Sequence, residues 1–175
     1  MKIAVVPSDK LKRTPVLTTE RLRLEPLQAP HADELAPVLN DPRLHEFIGG
    51  RPLGVEALRD RYRHQVVGRS PDGQQLWLNW VVRELRQRRA IGVVQATVTS
   101  SPSRAELAWT IEIESQGCGY AREAAGAIAA WLTQQGVEAL IAHIHPRHVA
   151  SEKVAQALGL RPTGESVGDE VRWSN

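Results

Sequence analysis

The segment Trp109-Thr-Ile-Glu-Ile113, followed by Gln116-Gly-Cys-Gly-Tyr-Ala121, decides the fold of this chain. The first segment mixes β-branched and polar side chains in alternation, which predicts a strand. After the glycines, apolar residues recur on one face from Ala121 to Gln135, which predicts a helix with Gly136 as its C-cap. Unpaired N–H groups and partial positive charge lie at a helix N-terminus, and glycines let a ligand approach the backbone. The loop is therefore a candidate site for a phosphate group, with Glu123 favouring helix initiation.

Two other interpretations of the same glycines have to be weighed. A tight strand-to-helix turn of this kind also occurs without any ligand. Gly117 and Gly119 also match the start of the G-x-G-x-x-G pattern of dinucleotide-binding folds, but Arg122 stands at the position of the third glycine. The next predicted strand, 139–145, ends without the acidic residue that binds a ribose in those folds. The two strands predicted before this segment form a hairpin rather than parallel crossovers, so the sequence disfavours a dinucleotide fold.

The rest of the chain predicts an α+β domain with an α/β/α arrangement, in which helices flank both faces of a mixed sheet. Pro37 is expected to break or kink the first helix. We expect residues 1–16 to form an N-terminal extension and residues 17–175 to form a single domain. The predicted elements are a strand at 19–25, helices at 30–39 and 55–67, strands at 76–85, 90–99 and 106–113, a helix at 121–135, a strand at 139–145, a helix at 149–158, and one or two strands within 163–173.

Composition narrows the class of protein. The chain has 175 residues, which suits one ordinary domain, and its formal net charge is only +2. That charge balance does not indicate nucleic-acid binding. A single cysteine excludes an internal disulfide framework, and no apolar run is long enough for a membrane span or a signal peptide. We therefore expect a cytoplasmic protein without a membrane or nucleic-acid partner.

Several motifs in a consistent order make the chain resemble the GNAT superfamily of N-acetyltransferases, and the RimJ/RimL type most of all. The acyl-CoA signature of that superfamily, Q/R-x-x-G-x-G/A, is matched by Gln116, Gly119 and Ala121. The segments 18–24 and 106–112 also match, as do 146–151 for P-x-N-x-A-S and 158–160 for the closing L-G-F. The chain departs from the pattern at His148, where asparagine is usual, at Ile113, where proline is common, and in ending soon after Trp173.

The resemblance implies a GNAT fold, whose mostly antiparallel central sheet splays between the strands at 106–113 and 139–145. It implies acetyl-CoA as cosubstrate, with its pantetheine arm in the splayed cleft and its pyrophosphate on the glycine loop. Arg122, Arg147 and Lys153 are candidate cations for the phosphates, although each is also an ordinary surface charge. The residues predicted to contact the cosubstrate are Ile111, Ile113, Gln116, Gly117, Cys118, Gly119, Tyr120, Ala121, Arg122, His148, Ser151 and Lys153.

The resemblance also implies direct transfer of the acetyl group to a primary amine, on a small molecule or a protein N-terminus. A base has to receive the proton of the amine, and Glu112 and Glu114 are the candidates beside the loop. Each glutamate also suits a solvated strand end. Ser151 is the candidate acid for the leaving thiolate, and it also suits the N-cap of the last helix.

Other residues allow further hypotheses that the sequence leaves open. Cys118 is a conceivable nucleophile, but no histidine is adjacent to it in sequence. His143, His145 and His148 lack a fourth ligand at suitable spacing, so we expect no metal. The arginines at 59, 61 and 63 suit an acidic acceptor or simply a solvated helix face. A non-catalytic acyl-CoA-binding module is the main alternative to an enzyme, and the chain suits either a monomer or a homodimer.

Overall fold

The structure is a computed structural model that describes residue 11, residues 13–100 and residues 103–175. Most of the predicted N-terminal extension lies outside the described residues. Leu11 is nevertheless buried in the core, and Trp80 Nε1 donates a hydrogen bond to the carbonyl oxygen of Pro15 at 2.7 Å. The packed part of the chain therefore begins before the first strand.

Eight strands form one twisted sheet in the described part of the chain, in the spatial order β1-β2-β3-β4-β5-β6-β8-β7. Only the pair β5/β6 is parallel; the other neighbouring strands are antiparallel. The strands are β1 Leu17–Thr18, β2 Leu22–Pro26, β3 Gln75–Glu84, β4 Arg89–Ser100, β5 Ser103–Ile111, β6 Ala139–Ile144, β7 Arg161–Val167 and β8 Glu170–Ser174. The mixed sheet confirms the predicted fold class.

Five α-helices flank the sheet, within the residues described. They are α1 His31–Leu39, α2 His45–Ile48, α3 Val55–Gln65, α4 Tyr120–Gln134 and α5 Val149–Ala157, with 3-10 turns at Pro42–Leu44 and Ile113–Ser115. Helix α1 continues through Pro37, so the predicted break there was wrong. The short helix α2 was not predicted, because its four residues are too few to show a helical period.

The two faces of the sheet carry separate cores because side chains alternate along each strand. On β3, Trp80 faces α4 and packs edge-on against Trp131, whereas Val81 faces the opposite way and packs with α1 and α3. Ala155 of α5 belongs to the same cluster as α4. Helices α4 and α5 therefore cover one face of the sheet, and α1 and α3 cover the other.

Strands β5 and β6 stay together over only three pairs of residues. Arg104 to Glu106 pair with Ala139 to Ile141, and beyond them the two strands separate. This opening is the splay that the resemblance implied. It leaves one edge of β5, from Leu107 to Ile111, without pairing to β6 and exposes strand backbone to a cleft.

Two predicted strand boundaries were wrong. The strand predicted at 19–25 begins only at Leu22, as β2, because residues 19–21 form the turn that follows β1, where the Thr19 N–H donates to the Leu22 carbonyl. The strand predicted at 106–113 ends at Ile111. Beyond it, the Glu112 N–H still bonds the Ile91 carbonyl at 2.8 Å, and the chain then enters the 3-10 turn.

Candidate active site

The glycine loop and the start of α4 have the backbone shape that an anion site requires. Gly117 and Gly119 have φ values of 75° and 83°, in the left-handed region that favours glycine. A Cβ on Gly117 would meet no atom within 4 Å, so the loop borders open space. No described side chain caps α4, so the first N–H groups after Gly119 have no side-chain partner. Gln116 Nε2 donates to the carbonyl oxygen of Ile111 at 2.9 Å, which ties the loop to the end of β5.

Arg21 and Glu123 hold this loop in place from the other end of the chain. The guanidinium of Arg21 contacts the Glu123 carboxylate at 2.6 Å, donates to the Cys118 carbonyl at 2.9 Å and lies 4.6 Å from the ring centroid of Tyr120. Thr19 Oγ1 donates to the same carboxylate at 2.5 Å. Glu123 therefore does more than favour helix initiation, because it anchors the β1–β2 turn to the first turn of α4.

The Glu123 carboxylate gives the first testable prediction. Burial opposes its ionisation, but the hydrogen bonds from Thr19 and Arg21 outweigh burial and hold the pKa of Glu123 below its ordinary value of 4.5. The stabilisation is therefore complete above that value and is lost as the pH falls through the lower pKa of the folded state. We expect Glu123→Gln to cost about 1–2 kcal/mol at neutral pH and much less at acidic pH.

Urea unfolding at pH 7 and at pH 3 measures this difference. Glu138→Gln is the matched control, because Glu138 is exposed and its side chain has no hydrogen-bond partner among the described residues. An equal loss of stability for Glu123→Gln at both values of pH would contradict a role for the charged carboxylate.

The two predicted bases have different surroundings. Glu112 is buried. Its carboxylate forms an ion pair with Arg89 and accepts a hydrogen bond from Ser115 Oγ at 2.6 Å. Burial opposes its ionisation, but these partners lower the pKa of Glu112 from its ordinary value. Glu114 is exposed on the 3-10 turn. Neither glutamate stands on a strand, which corrects the predicted alternation along β5.

Ser151 lies beside the opening of the sheet. Trp109 Nε1, on β5, donates to Ser151 Oγ at 3.2 Å, and His148 Nε2 lies 3.5 Å from the same oxygen. The N-cap of α5 is His148, so the alternative that Ser151 caps this helix was wrong. Ser151 is in the first turn, where its N–H donates to the His148 carbonyl. The hydroxyl is thus positioned by a side chain from across the cleft.

An aromatic cluster packs α2 against the start of α5. The rings of Phe47 and His148 stack with centroids 4.7 Å apart, and His145 lies 5.4 Å from Phe47 on a tilted plane. The Arg147 guanidinium lies 6.0 Å from the Phe47 ring centroid. Burial, followed by the nearby His145, lowers the pKa of His148. His148 therefore replaces the usual asparagine with a ring that packs against α2.

A cavity of about 470 Å³ opens on the sheet face that carries α1 and α3. Strands β3, β4 and β5 form its floor, and α2, α3 and the segment between them form its walls. Trp109 lines the cavity, while its side chain packs with the α4 and α5 cluster and reaches Ser151, so this residue of β5 lies between the cavity and the splayed cleft. The mainly apolar lining includes Leu27, Leu39, Leu44, Leu53, Leu58 and Val93.

The other residues singled out from the sequence are spread over the surface. Arg122, Lys153 and Cys118 are exposed near α4 and α5. Ion pairs bind Arg59 to Asp33 and Arg63 to Asp60. His143 Nδ1 lies 2.9 Å from a Glu106 carboxylate oxygen. In the described part of the chain, no three His, Cys, Asp or Glu side chains are grouped as metal ligands, and no helix has the length and apolar character of a membrane span.

Several of these contacts join segments that are far apart in sequence, and no local pattern predicts them. Arg21, Phe47 and Tyr62 are distant in sequence from the glycine loop, and no local period marks them as site residues. Trp109 was recognised only as a strand residue, because its indole N–H reaches Ser151 across 42 positions of sequence. The order of the short motifs could locate the loop but not the side chains that surround it.

The chain matches known proteins at the level of a domain family and of a fold. The family model described as "Acetyltransferase (GNAT) domain" matches residues 21–161 of this chain. No curated protein sequence matches the chain significantly. Among solved structures, the ribosomal-protein-S5-alanine acetyltransferase from Vibrio fischeri is 20% identical, with a TM-score of 0.77 over 92% of this chain and 96% of that chain.

Two further solved structures have the same fold. An acetyltransferase from Salmonella typhimurium that modifies the N-terminal serine of ribosomal protein L7/L12 is 14% identical, with a TM-score of 0.76 over 92% of this chain and 98% of that chain. The microcin C7 self-immunity acetyltransferase MccE, solved with acetyl-CoA and AMP, is 14% identical, with a TM-score of 0.74 over 90% of this chain and 93% of that chain. The domain match covers most of the chain and coincides with the splayed sheet and the glycine loop, so the protein belongs to the GNAT acetyltransferase family.

Proposed function

We propose that the protein transfers the acetyl group of acetyl-CoA directly to a primary amine, on a small molecule or a protein N-terminus. The convergence of three features at the unpaired edge of β5 carries this proposal: the glycine loop, the Ser151 hydroxyl and the cavity. The two ribosomal-protein acetyltransferases and the acetyl-CoA complex among the similar structures support it. Acetyl-CoA supplies the activated acyl group, and the chain aligns it with the amine.

The glycine loop is the proposed holder of the pyrophosphate. Gly117 borders open space and Gly119 begins α4 beside the Arg21 guanidinium, where the unpaired N–H groups and the helix dipole favour an anion. Arg122 and Lys153 are exposed and have no ion-pair partner among the described residues, so both remain available to phosphate groups. The free edge of β5 offers strand-like backbone to the pantetheine arm. Ile113 contributes less than the sequence implied, because it lies in the 3-10 turn.

Ser151 is the proposed acid. Its oxygen accepts the Trp109 N–H, so its own proton can be donated to a leaving thiolate in the cleft, in competition with the weak contact to His148 Nε2 at 3.5 Å. Glu114 is the proposed general base, which accepts the proton of the amine through a bridging water molecule. Glu112 is assigned a structural role instead, because Arg89 and Ser115 already occupy its carboxylate. Glu114→Gln should then lower kcat, whereas Glu112→Gln should mainly lower stability.

Release of coenzyme A thiol tests the proposal. The purified protein is incubated with acetyl-CoA, a panel of primary amines and a thiol reagent, and amine-dependent thiol release is the expected result. Cys118 is exposed and reacts with the reagent itself, so a reaction without acetyl-CoA and a Cys118→Ser variant give the baseline. Tight binding of coenzyme A with no amine-dependent release would overturn the proposal in favour of a non-catalytic acyl-CoA-binding module.

A further inference from the structure

The charges around the cavity are all of one sign. Among the residues that the structure describes, none of those lining the cavity is aspartate or glutamate. Arg51, just before α3, and Arg61, on α3, both line it. A cavity that receives an amine therefore offers cations and no carboxylate at its walls. An acceptor that is positively charged at both ends gains no ion pair from these walls and is repelled by them.

Arg51 and Arg61 are also free to bind, in contrast to their neighbours. Both are exposed, and neither has an ion pair or hydrogen bond with any described residue. On the same helix, Arg59 pairs with Asp33 and Glu56, and Arg63 pairs with Asp60. The arginine that faces the cavity is thus the one that lacks a partner, and guanidinium groups bind carboxylate and phosphate oxygens well.

Tyr62 provides an independent sign of a ligand. Its side chain lines the cavity, only 4% of the residue is exposed, and its hydroxyl has no hydrogen-bond partner among the described residues. Burial raises the pKa of this hydroxyl, so it stays a neutral donor. A buried polar group without a partner is costly, and because the hydroxyl oxygen is closed off from the cavity, a small movement of the Tyr62 ring would let it donate to an acceptor oxygen of a bound ligand. The amide side chains of Asn79 and Gln95 line the same cavity.

From these groups we infer the class of the acceptor: a primary amine with an apolar body and an anionic group, carboxylate or phosphate, at the end remote from the amine. The apolar body contacts the leucine-lined wall. The anion binds Arg51 and Arg61, and Tyr62 donates to an acceptor oxygen of the same ligand. This inference rests on the proposed acetyl transfer, and it excludes polycationic amines as good acceptors.

Four amines of similar length test the inference: 6-aminohexanoate, an aminopentyl phosphate, hexylamine and 1,6-diaminohexane. They present the same kind of amine and differ in the charge at the far end. We expect kcat/KM for the better of the two anionic amines to exceed that of hexylamine by about tenfold, and 1,6-diaminohexane to be the poorest acceptor. The ratio of kcat/KM for 6-aminohexanoate to kcat/KM for the aminopentyl phosphate shows whether the site prefers a carboxylate or a phosphate. The preference should shrink in about 1 M salt, where exposed charges are screened.

Variants assign the preference to the named residues. Arg51→Ala combined with Arg61→Ala should remove most of the preference for the anionic amines, so that the ratio of their kcat/KM to that of hexylamine falls from about tenfold to about twofold or less. Arg63→Ala is the control on the same helix, because Arg63 pairs with Asp60 and does not line the cavity. Tyr62→Phe should raise KM for the anionic amine about fivefold and leave KM for acetyl-CoA unchanged.

The failure of this inference is distinguishable from the failure of the proposed function. If all four amines are acetylated equally, or if the double arginine variant keeps the preference, the assigned acceptor class is wrong and acetyl transfer still holds. If none of the four is acetylated, binding of each amine to the protein loaded with coenzyme A decides. If the anionic amines bind no more tightly than hexylamine, the inference is overturned. If they bind more tightly and the difference requires Arg61, the inference is supported.

Discussion

Gly92→Ala is expected to destabilise the protein by about 3 kcal/mol or more, the largest loss we expect from any single methyl group. Gly92 is on β4, directly opposite Ile111 at the end of β5. A Cβ at this position would lie inside contact distance of the Thr110 carbonyl oxygen and 3.0 Å from the Ile111 Cα. Both atoms belong to the backbone, so no side-chain rotation relieves the clash, and the two strands have to separate.

The same variant is expected to lose acetyl transfer, because the strand end it displaces is part of the site. Thr110 lines the cavity, and the Ile111 carbonyl accepts the hydrogen bond from Gln116 that ties the glycine loop to β5. A shift of about 1 Å in catalytic geometry reduces rates by roughly 100-fold. Activity should therefore fall even under conditions in which the variant remains folded.

Urea unfolding and acetyl transfer at a temperature below the transition measure these two losses. Gly126→Ala is the matched control: Gly126 lies inside α4, and a Cβ there would meet no atom within 4 Å. Alanine is favoured over glycine in a helix interior, so this control should gain about 0.5–1 kcal/mol. A Gly92→Ala variant as stable as the wild type would mean that β4 and β5 do not approach as closely as the structure has them.

The glycine loop and the fold around it were predictable because their signals are local. The alternation at 76–85 and 90–99, the glycines at 117 and 119 and the helical period from Ala121 onward each occupy one short window. These windows correspond to β3, β4, the loop and α4. The splay of β5 from β6 came from the family resemblance, since no residue pattern in either strand indicates where their pairing stops.

Contacts between distant segments were not predictable, and they decide the chemistry of the site. The period-two pattern through Glu112 suggested a strand and a free carboxylate, but the ion pair with Arg89 depends on where β4 begins. In the same way, Arg21 reaches the loop only because the β1–β2 turn packs against the first turn of α4. Tyr62 looks like one more apolar position of α3, and only its position in the cavity identifies the unpartnered hydroxyl.

Ser151→Ala is the second substitution with a large expected effect, and it acts mainly on activity. Loss of a general acid typically lowers the rate by at least about 100-fold, so kcat should fall by that order with KM for acetyl-CoA nearly unchanged. Stability should fall by only about 0.5–1.5 kcal/mol through the lost hydrogen bond from Trp109, because His148 and not Ser151 is the N-cap of α5. The variant therefore separates a catalytic hydroxyl from a structural one, if kcat and urea unfolding are measured on the same preparation.

Two further variants separate the hydroxyl from its neighbours. Trp109→Phe keeps an aromatic ring in the cleft but removes the N–H that positions Ser151 Oγ, so its kcat should fall less than that of Ser151→Ala. Ser174→Ala is the control, because that hydroxyl on β8 bonds only the Asn175 carbonyl. If Ser151→Ala keeps the wild-type kcat, the proton of the leaving thiol comes from solvent. The Trp109 hydrogen bond would then serve to join β5 and α5 across the cleft rather than to orient an acid.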